Sequence, residues 1–196
     1  MSYQLNETVF GVFLKFENQN NTKGFIRPYD WDDISIAEIK FIEMVVVEHR
    51  KIRWNYGRPD DTSNYDGYIL KGKDGAVFYN QYPFATFEQI ENSLNYSEGE
   101  YVSELKNSEQ YSTLALVLQT IQSGICLRED QLRENDASEA RTKSTIKRKI
   151  DLLQALKNRI IEEFEEKFPE YKVSLLMLPV TEGSSLLYPL VKVEKK

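Results

Sequence analysis

The chain has one histidine, His49, and one cysteine, Cys126, and both side chains are of types used in nucleophilic catalysis. A single histidine excludes every metal motif that needs two, and it leaves one possible centre for a Ser-His-Asp or Cys-His arrangement. No protease signature surrounds Cys126, and its apolar neighbours Ile125 and Leu127 favour a packing role for the thiol. We therefore predict no catalytic residue in this pair.

Acidic residues offer a second kind of chemistry, which is metal-assisted hydrolysis. Asp60 and Asp61, together with Glu104 in a Glu-Leu-Lys triplet, could hold Mg²⁺ and orient a water molecule, as in a nuclease. Such a site needs its acids on adjacent strands, whereas Asp60 falls in a polar loop and Glu104 in a predicted helix. Turn and surface charges are the simpler interpretation, so we predict no metal and no cofactor.

The strongest concentration of positive charge is a segment of five cations in nine residues that contains no acid. Its members are Arg141, Lys143, Lys147, Arg148 and Lys149. The segment is predicted to lie at the beginning of a long helix, where free backbone N–H groups also attract anions. Anion binding is therefore one interpretation, and a solvated charged face is the other. Phosphate-binding loops with a Gly-x-Gly-x-x-Gly or Gly-Lys-Ser/Thr pattern are absent from the sequence.

Aromatic residues are concentrated between Trp54 and Tyr101, where the chain has eleven of them, most of which are tyrosines. A tyrosine ring is apolar and its hydroxyl needs a partner, so tyrosine-rich surfaces are typical of recognition sites. Several of these rings alternate with asparagine, aspartate and glutamine, as in adaptable binding loops. We predict a partner-binding surface made by Trp54, Tyr56, Tyr65, Tyr68, Tyr79 and Tyr82. The alternative is that these rings pack in a core.

Composition places the chain among soluble globular proteins. It has 196 residues, of which 41% are hydrophobic and 29% charged, and its net charge is −6. The apolar runs are far shorter than the ~20 residues that span a bilayer, so we expect no membrane segment. A single cysteine excludes an internal disulfide and suits a reducing compartment, which predicts a cytoplasmic location.

The pattern along the chain predicts an α+β fold with a mostly antiparallel sheet and several helices. Residues 8–16 have strand composition, and hairpins are expected near residues 68–79 and 173–193. A long amphipathic helix is expected at about 145–168, capped by Ser144 and ended by Pro169. We expect a single globular domain over 1–196, with a β-rich half (1–85) and a helical half closed by a hairpin (86–196).

Other segments are ambiguous. Residues 36–50 match a capping box followed by helical spacing, yet their β-branched residues favour a strand, and we predict a helix that changes to a strand near Ile52. Short helices are predicted to begin at Thr86 and at Glu100. A further helix beginning at Thr113 is expected to stop at Gly124. Residues 131–143 read as a solvated helix or a mobile connection.

Taken together, these features favour a non-enzymatic protein-binding module, such as an inhibitor, an immunity-type protein or a small subunit of a larger complex. Its acidic charge favours another protein as the partner, and one that is basic or binds nucleic acid, because complementary potentials speed association. The alternative is a nucleic-acid-associated protein, including a Mg²⁺-dependent nuclease. Direct nucleic-acid binding ranks second because the net charge opposes a phosphate backbone.

Overall fold

The computed structural model describes residues 3–16, 36–54, 63–73, 77–80, 85–86, 112–134, 140–179 and 187–196. These residues have α+β content, with antiparallel strand pairs and two helices. Contacts divide the chain into two compact units. The first comprises Met1–Phe25 and Glu38–Thr113, and the second comprises Ile26–Ala37 and Leu114–Lys196.

A six-stranded sheet forms the first unit. Its strands, in chain order, are β1 (Thr8–Phe16), β2 (Ile36–Trp54), β3 (Ser63–Gly72), β4 (Val77–Asn80), β5 (Ala85–Thr86) and β6 (Ser112–Thr113). Across the sheet the order is β5-β4-β3-β2-β1-β6. The β3–β4 pairing, with Lys71 opposite Val77, confirms the hairpin predicted near residues 68–79. The predicted strand at residues 8–16 is also confirmed.

The prediction of a helix from Ile36 was wrong, because residues 36–54 form one 19-residue strand. Strand β2 lies inside the sheet between β1 and β3, and Met44 and Val46, two residues apart, are both fully buried. Ladder hydrogen bonds on both sides and this period-two burial outweigh a local capping signal, which is a weak determinant.

Strand β2 contains a bulge at Val47, since Val46 pairs with Leu70 but Glu48 pairs with Ile69. Residues 6 and 7 are hydrogen-bonded to β2 next to the bulge. The Asn6 backbone N–H donates to the Val46 carbonyl at 2.8 Å, and the Val46 N–H donates to the Glu7 carbonyl at 3.0 Å. Asn6 has a positive φ of 66°, which asparagine tolerates better than most residues. The bulge leaves Val47 exposed beside a core cluster whose members are Val9, Met44, Val46, Tyr68 and Leu70.

Helices α1 (Leu114–Glu134) and α2 (Ala140–Lys167) and the hairpin of β7 (Tyr171–Pro179) and β8 (Leu187–Lys195) form the second unit. The hairpin confirms the second predicted strand pair, and α1 contacts both α2 and β8. The apolar stripe of α2 is fully buried at Leu153, Leu156, Ile160 and Phe164. Core packing is thus the role of that part of the stripe.

Helix boundaries differ from the predictions at two points. Helix α1 continues through Gly124 to Glu134, because buried Ile121 and Ile125 on either side of Gly124 offset the ~1 kcal/mol that glycine costs in a helix. Helix α2 begins at Ala140, so Ser144 lies inside it and is exposed rather than capping it. Its end at Lys167, just before Pro169, is as predicted.

The remaining secondary-structure predictions fall partly or wholly on residues that the structure does not describe. Thr86 pairs with Phe78 as a strand residue, and the short helices predicted from Thr86 and from Glu100 fall on residues 87–94 and 100–106, which lie outside the described part. Residues 131–134 end α1 and residues 140–143 begin α2, whereas 135–139 are not described. The described ranges therefore contain two helices, fewer than the several that we predicted.

The last turn of α2 is tied to the hairpin by polar contacts. The Glu165 carboxylate accepts a hydrogen bond from the Val173 backbone N–H at 2.8 Å and lies 4.0 Å from the Lys196 ammonium. The Lys196 N–H also donates to the Glu170 carbonyl at 2.8 Å. Two of the acids at this end of α2 thereby have a structural use, since Glu163 pairs with Arg159 at 2.7 Å.

We expect Ile160→Ala to lower the free energy of unfolding by about 2–5 kcal/mol, because it opens a cavity where a fully buried side chain packs. Ile146→Ala, at the half-buried beginning of the same stripe, is the matched control and should cost less. Urea unfolding followed by circular dichroism measures both. An equal loss for the two variants would contradict the assignment of the core to the C-terminal part of α2.

Candidate functional site

The tyrosine-rich segment lies in the sheet of the first unit. Trp54, Tyr65 and Tyr79 occupy β2, β3 and β4, but their side chains lie outside the described part, as do Tyr56 and Tyr82 altogether. Tyr68 is described fully. It is only 8% exposed and belongs to the core cluster with Val46 and Leu70.

Strand register separates the predicted binding residues into two sets. Positions on one strand alternate between the faces of a sheet, and directly paired positions share a face. Tyr65 pairs with Ile52, Ile69 pairs with Tyr79, and Trp54 is two residues from Ile52, so positions 54, 65 and 79 share one face. Tyr68 pairs with His49 and Asn80 on the other face. Register thus brings three of the predicted positions together and sets Tyr68 apart.

Tyr68 supports an exposed histidine. The His49 ring stacks on the Tyr68 ring with centroids 4.9 Å apart and an interplanar angle of 21°, and the Tyr3 ring meets Tyr68 edge-on at 5.3 Å. A stacked aromatic platform holds the imidazole in place and adds packing energy beyond area burial. His49 is therefore an exposed residue whose ring packs on the buried Tyr68 ring.

The basic segment lies on α2, and the helical period divides its side chains between two sides. Lys147 and Arg148 are exposed on the side opposite the buried stripe, and Lys143 lies at the flank, half-buried. Lys149 is half-buried on the packed side and has a contact of its own. The Arg141 side chain is not described. Sequence alone treated the five cations as one set, whereas the burial of α2 separates them.

An open surface depression lies along this outer side of α2. The described residues that line it are Lys143, Ser144, Lys147, Arg148 and Asp151. Within the described ranges, Lys147 and Arg148 make no ion pair and no hydrogen bond through their side chains. Two cations and a hydroxyl are thus presented to solvent along one helix face.

A third feature, which sequence reasoning missed, is an apolar surface on the β7–β8 hairpin. Leu176 pairs with Leu190 and Leu178 pairs with Tyr188, so these four positions share the face opposite to buried Val191. Leu176 and Tyr188 are 43% and 42% exposed on this face, whereas Leu187, which pairs with Pro179, lies on the other face and is 52% exposed. The unbroken run Leu175-Leu176-Met177-Leu178, apolar on both faces of a two-stranded sheet, was the available signal.

His49 belongs to the first unit and Cys126 to the second, and Asp60, Asp61 and Glu104 lie outside the described part. In the portion of the chain that is described, no three His, Cys, Asp or Glu residues lie close enough to hold a metal ion. Neither α1 nor α2 is long and apolar enough to cross a membrane.

Cys126 is half-buried on α1 within a small polar cluster between the helices. Its Sγ accepts a hydrogen bond from Gln122 Nε2 at 3.6 Å, and Lys157 Nζ on α2 donates to Gln122 Oε1 at 2.7 Å and to Gln154 Oε1 at 3.0 Å. Burial lowers the pKa of the Lys157 ammonium, and Coulombic interactions with Cys126 and Glu129 offset part of that effect. The cluster joins α1 to α2 by polar contacts.

Comparison of the chain with known protein families, with curated proteins and with solved structures gives no match. Function must therefore be argued from the surfaces themselves.

We expect Tyr68→Ala to lower the free energy of unfolding by about 3 kcal/mol, because it removes a buried ring and the support of His49. Tyr68→Phe keeps the ring and should cost less than about 1.5 kcal/mol. Thermal and urea unfolding measure both variants. Unchanged stability in Tyr68→Ala would show that the ring is not part of the core.

Lys157 predicts a pH dependence of stability. Its folded pKa lies below its ordinary value of 10.5, so between these two values the unfolded chain binds more protons and stability rises with pH. We expect the unfolding free energy of the native chain, minus that of Lys157→Met, to increase as pH rises through this window. Lys172→Met, at an exposed position, controls for the loss of a lysine. A difference that falls with pH would contradict burial as the dominant effect.

Proposed function

We propose that the chain is a non-enzymatic protein-binding module and that the outer apolar face of the β7–β8 hairpin is its main contact surface. The observation that carries the proposal is the clustering of Leu176 and Tyr188, two of the six large hydrophobic residues exposed among the described ranges, with half-buried Leu178 and Leu190 on the same face. Exposed apolar residues scattered singly are ordinary, whereas contiguous ones are typical of protein interfaces.

The surroundings of these side chains fit an interface with an apolar centre and a polar rim. Along the same face, towards the free ends of the hairpin, Ser174 pairs with Lys192 and Lys172 pairs with Glu194. Interfaces typically place aromatic and aliphatic side chains centrally and polar groups around them. Tyr188 would be the central anchor, because tyrosine and tryptophan dominate binding hot spots.

The partner that we propose is another protein, with net positive charge or a nucleic-acid-binding role. The net charge of −6 supports this choice, because an acidic chain attracts a basic partner over a distance and repels acidic competitors. Positions 54, 65 and 79 on one face of the first unit's sheet are a second candidate contact area. An inhibitor, an immunity-type protein and a small complex subunit all use surfaces of this kind.

The test is affinity capture from lysate of the native host, with nuclease added, followed by measurement of binding to the purified partner. We expect the double variant Leu176→Thr/Tyr188→Thr to weaken the affinity more than tenfold, because hot-spot truncations cost about 2 kcal/mol or more. Threonine keeps the strand propensity of both positions.

Leu127→Gln is the matched control, because Leu127 is 47% exposed on α1, away from the hairpin face. It should leave the affinity unchanged. Equal affinity of the native chain and the hairpin variant would exclude the hairpin face as the contact surface. Dimerisation of the purified chain that the hairpin variant abolishes would identify a second copy as the occupant instead.

A further inference from the structure

The outer side of α2 carries charge that the fold does not use. At the C-terminal end of the helix, Glu163 forms an ion pair with Arg159, and the Glu165 carboxylate accepts a hydrogen bond from the Val173 N–H. At the near end, Lys147 and Arg148 make no such contact among the described residues. Two of the acids thus have contacts within the second unit, whereas these two cations have none among the described residues.

Helix stability does not explain the cations either. The first turn of α2 contains no acid and has Arg141 and Lys143, although the positive end of the helix dipole lies there. Cations in that turn are unfavourable by a few tenths of a kcal/mol each or more. Their presence in a chain with net charge −6 points to an anionic ligand.

We propose that the face formed by Lys143, Ser144, Lys147 and Arg148 binds the phosphodiester backbone of a nucleic acid. The two cations at 147 and 148 and the flanking Lys143 cover about 7.5 Å along the helix axis. That length covers about two steps of 3.4 Å along a duplex, and so about three successive phosphates of one strand. The Ser144 hydroxyl lies between them and can donate to a phosphate oxygen.

The shape and surroundings of the depression favour a polymer backbone over other anions. The depression is open and has no buried donor among its described lining residues, so it suits extended phosphates better than one enclosed ion. Ile146 and Ile150 lie half-buried towards the packed side of α2, so along the described part of the helix no exposed large apolar side chain accompanies the cations. Membrane-surface helices need such side chains to enter the lipid.

Contacts of this kind are independent of base sequence and sensitive to salt. With about three phosphates neutralised, the slope of log K against log salt should be about −2 for a single strand and about −3 for a duplex. Asp151 borders the cations and should weaken binding, because its carboxylate repels phosphate. The interaction does not need the partner of the hairpin face, so the two proposals can fail separately.

The experiment is fluorescence anisotropy of the purified full chain with labelled single-stranded and duplex oligonucleotides at several salt concentrations. We expect Lys147→Gln/Arg148→Gln to weaken binding about tenfold at low salt and to reduce the magnitude of the salt slope by about 1.4 for a single strand and about 1.8 for a duplex. Asp151→Asn should strengthen binding about twofold to threefold.

Lys15→Gln/Lys71→Gln is the control, because it removes the same charge at exposed positions of the first unit. It should leave binding nearly unchanged. An equal loss in this control would show that only net charge matters and would overturn the site. Binding to anionic phosphatidylserine vesicles but to neither oligonucleotide would also overturn it, in favour of a membrane surface.

A further variant separates binding from folding. Lys143→Glu should raise the melting temperature by about 1–3 °C, because it places a negative charge at the positive end of the helix dipole. The same change should weaken oligonucleotide binding. Loss of binding together with loss of stability would reduce Lys143 to a structural role.

Discussion

Burial of one side of α2 is the constraint on which the surfaces of the second unit depend. Leu153, Leu156, Ile160 and Phe164 are almost completely removed from solvent, and each is worth about 1.5–3 kcal/mol of transfer free energy. Because that side is packed, the helical period places Ser144, Lys147 and Arg148 on the outer side of α2. The cationic face is therefore a geometric consequence of the core.

The hairpin follows from the same packing. The end of α2 leads directly into β7, and Glu165 holds the Val173 N–H beside the last helical turn. Val191 and Pro189 are buried, so alternation places Leu190 and Tyr188 on the opposite face. A two-stranded sheet has too little area to hide apolar residues on both faces, which is why the second face remains available to a partner.

Much of the regular structure could be predicted from local sequence. The hairpin near residues 68–79, the strand at residues 8–16 and the periodic stripe of α2 each combine a local preference with the matching tertiary role. The prediction of a helix from Ile36 was wrong because the capping signal is a local preference. The pairing of β2 with strands on both sides depends on residues distant in the sequence and outweighs that preference. The prediction that the helix stops at Gly124 was wrong for a similar reason, since burial of the neighbouring Ile121 and Ile125 outweighs the low helix propensity of glycine.

Surfaces were harder to predict than elements. Tyrosine is a residue type common in recognition sites, but Tyr68 is buried. Its pairing with His49 places it on the same sheet face as Leu70, within the core cluster. The apolar run at residues 175–178 is typical of a core strand, because sequence cannot show that, among the described residues, β7 pairs with β8 alone. The cationic segment was visible in the sequence, yet only the packing of α2 separates Lys149 from Lys147.

Hydrogen–deuterium exchange of the chain, free and bound to its captured protein partner, tests the central claim most directly. The account predicts slower amide exchange in residues 175–179 and 187–190 on binding, because the partner covers the outer face of the hairpin. Unchanged exchange in the hairpin, with protection confined to other described residues, would contradict it.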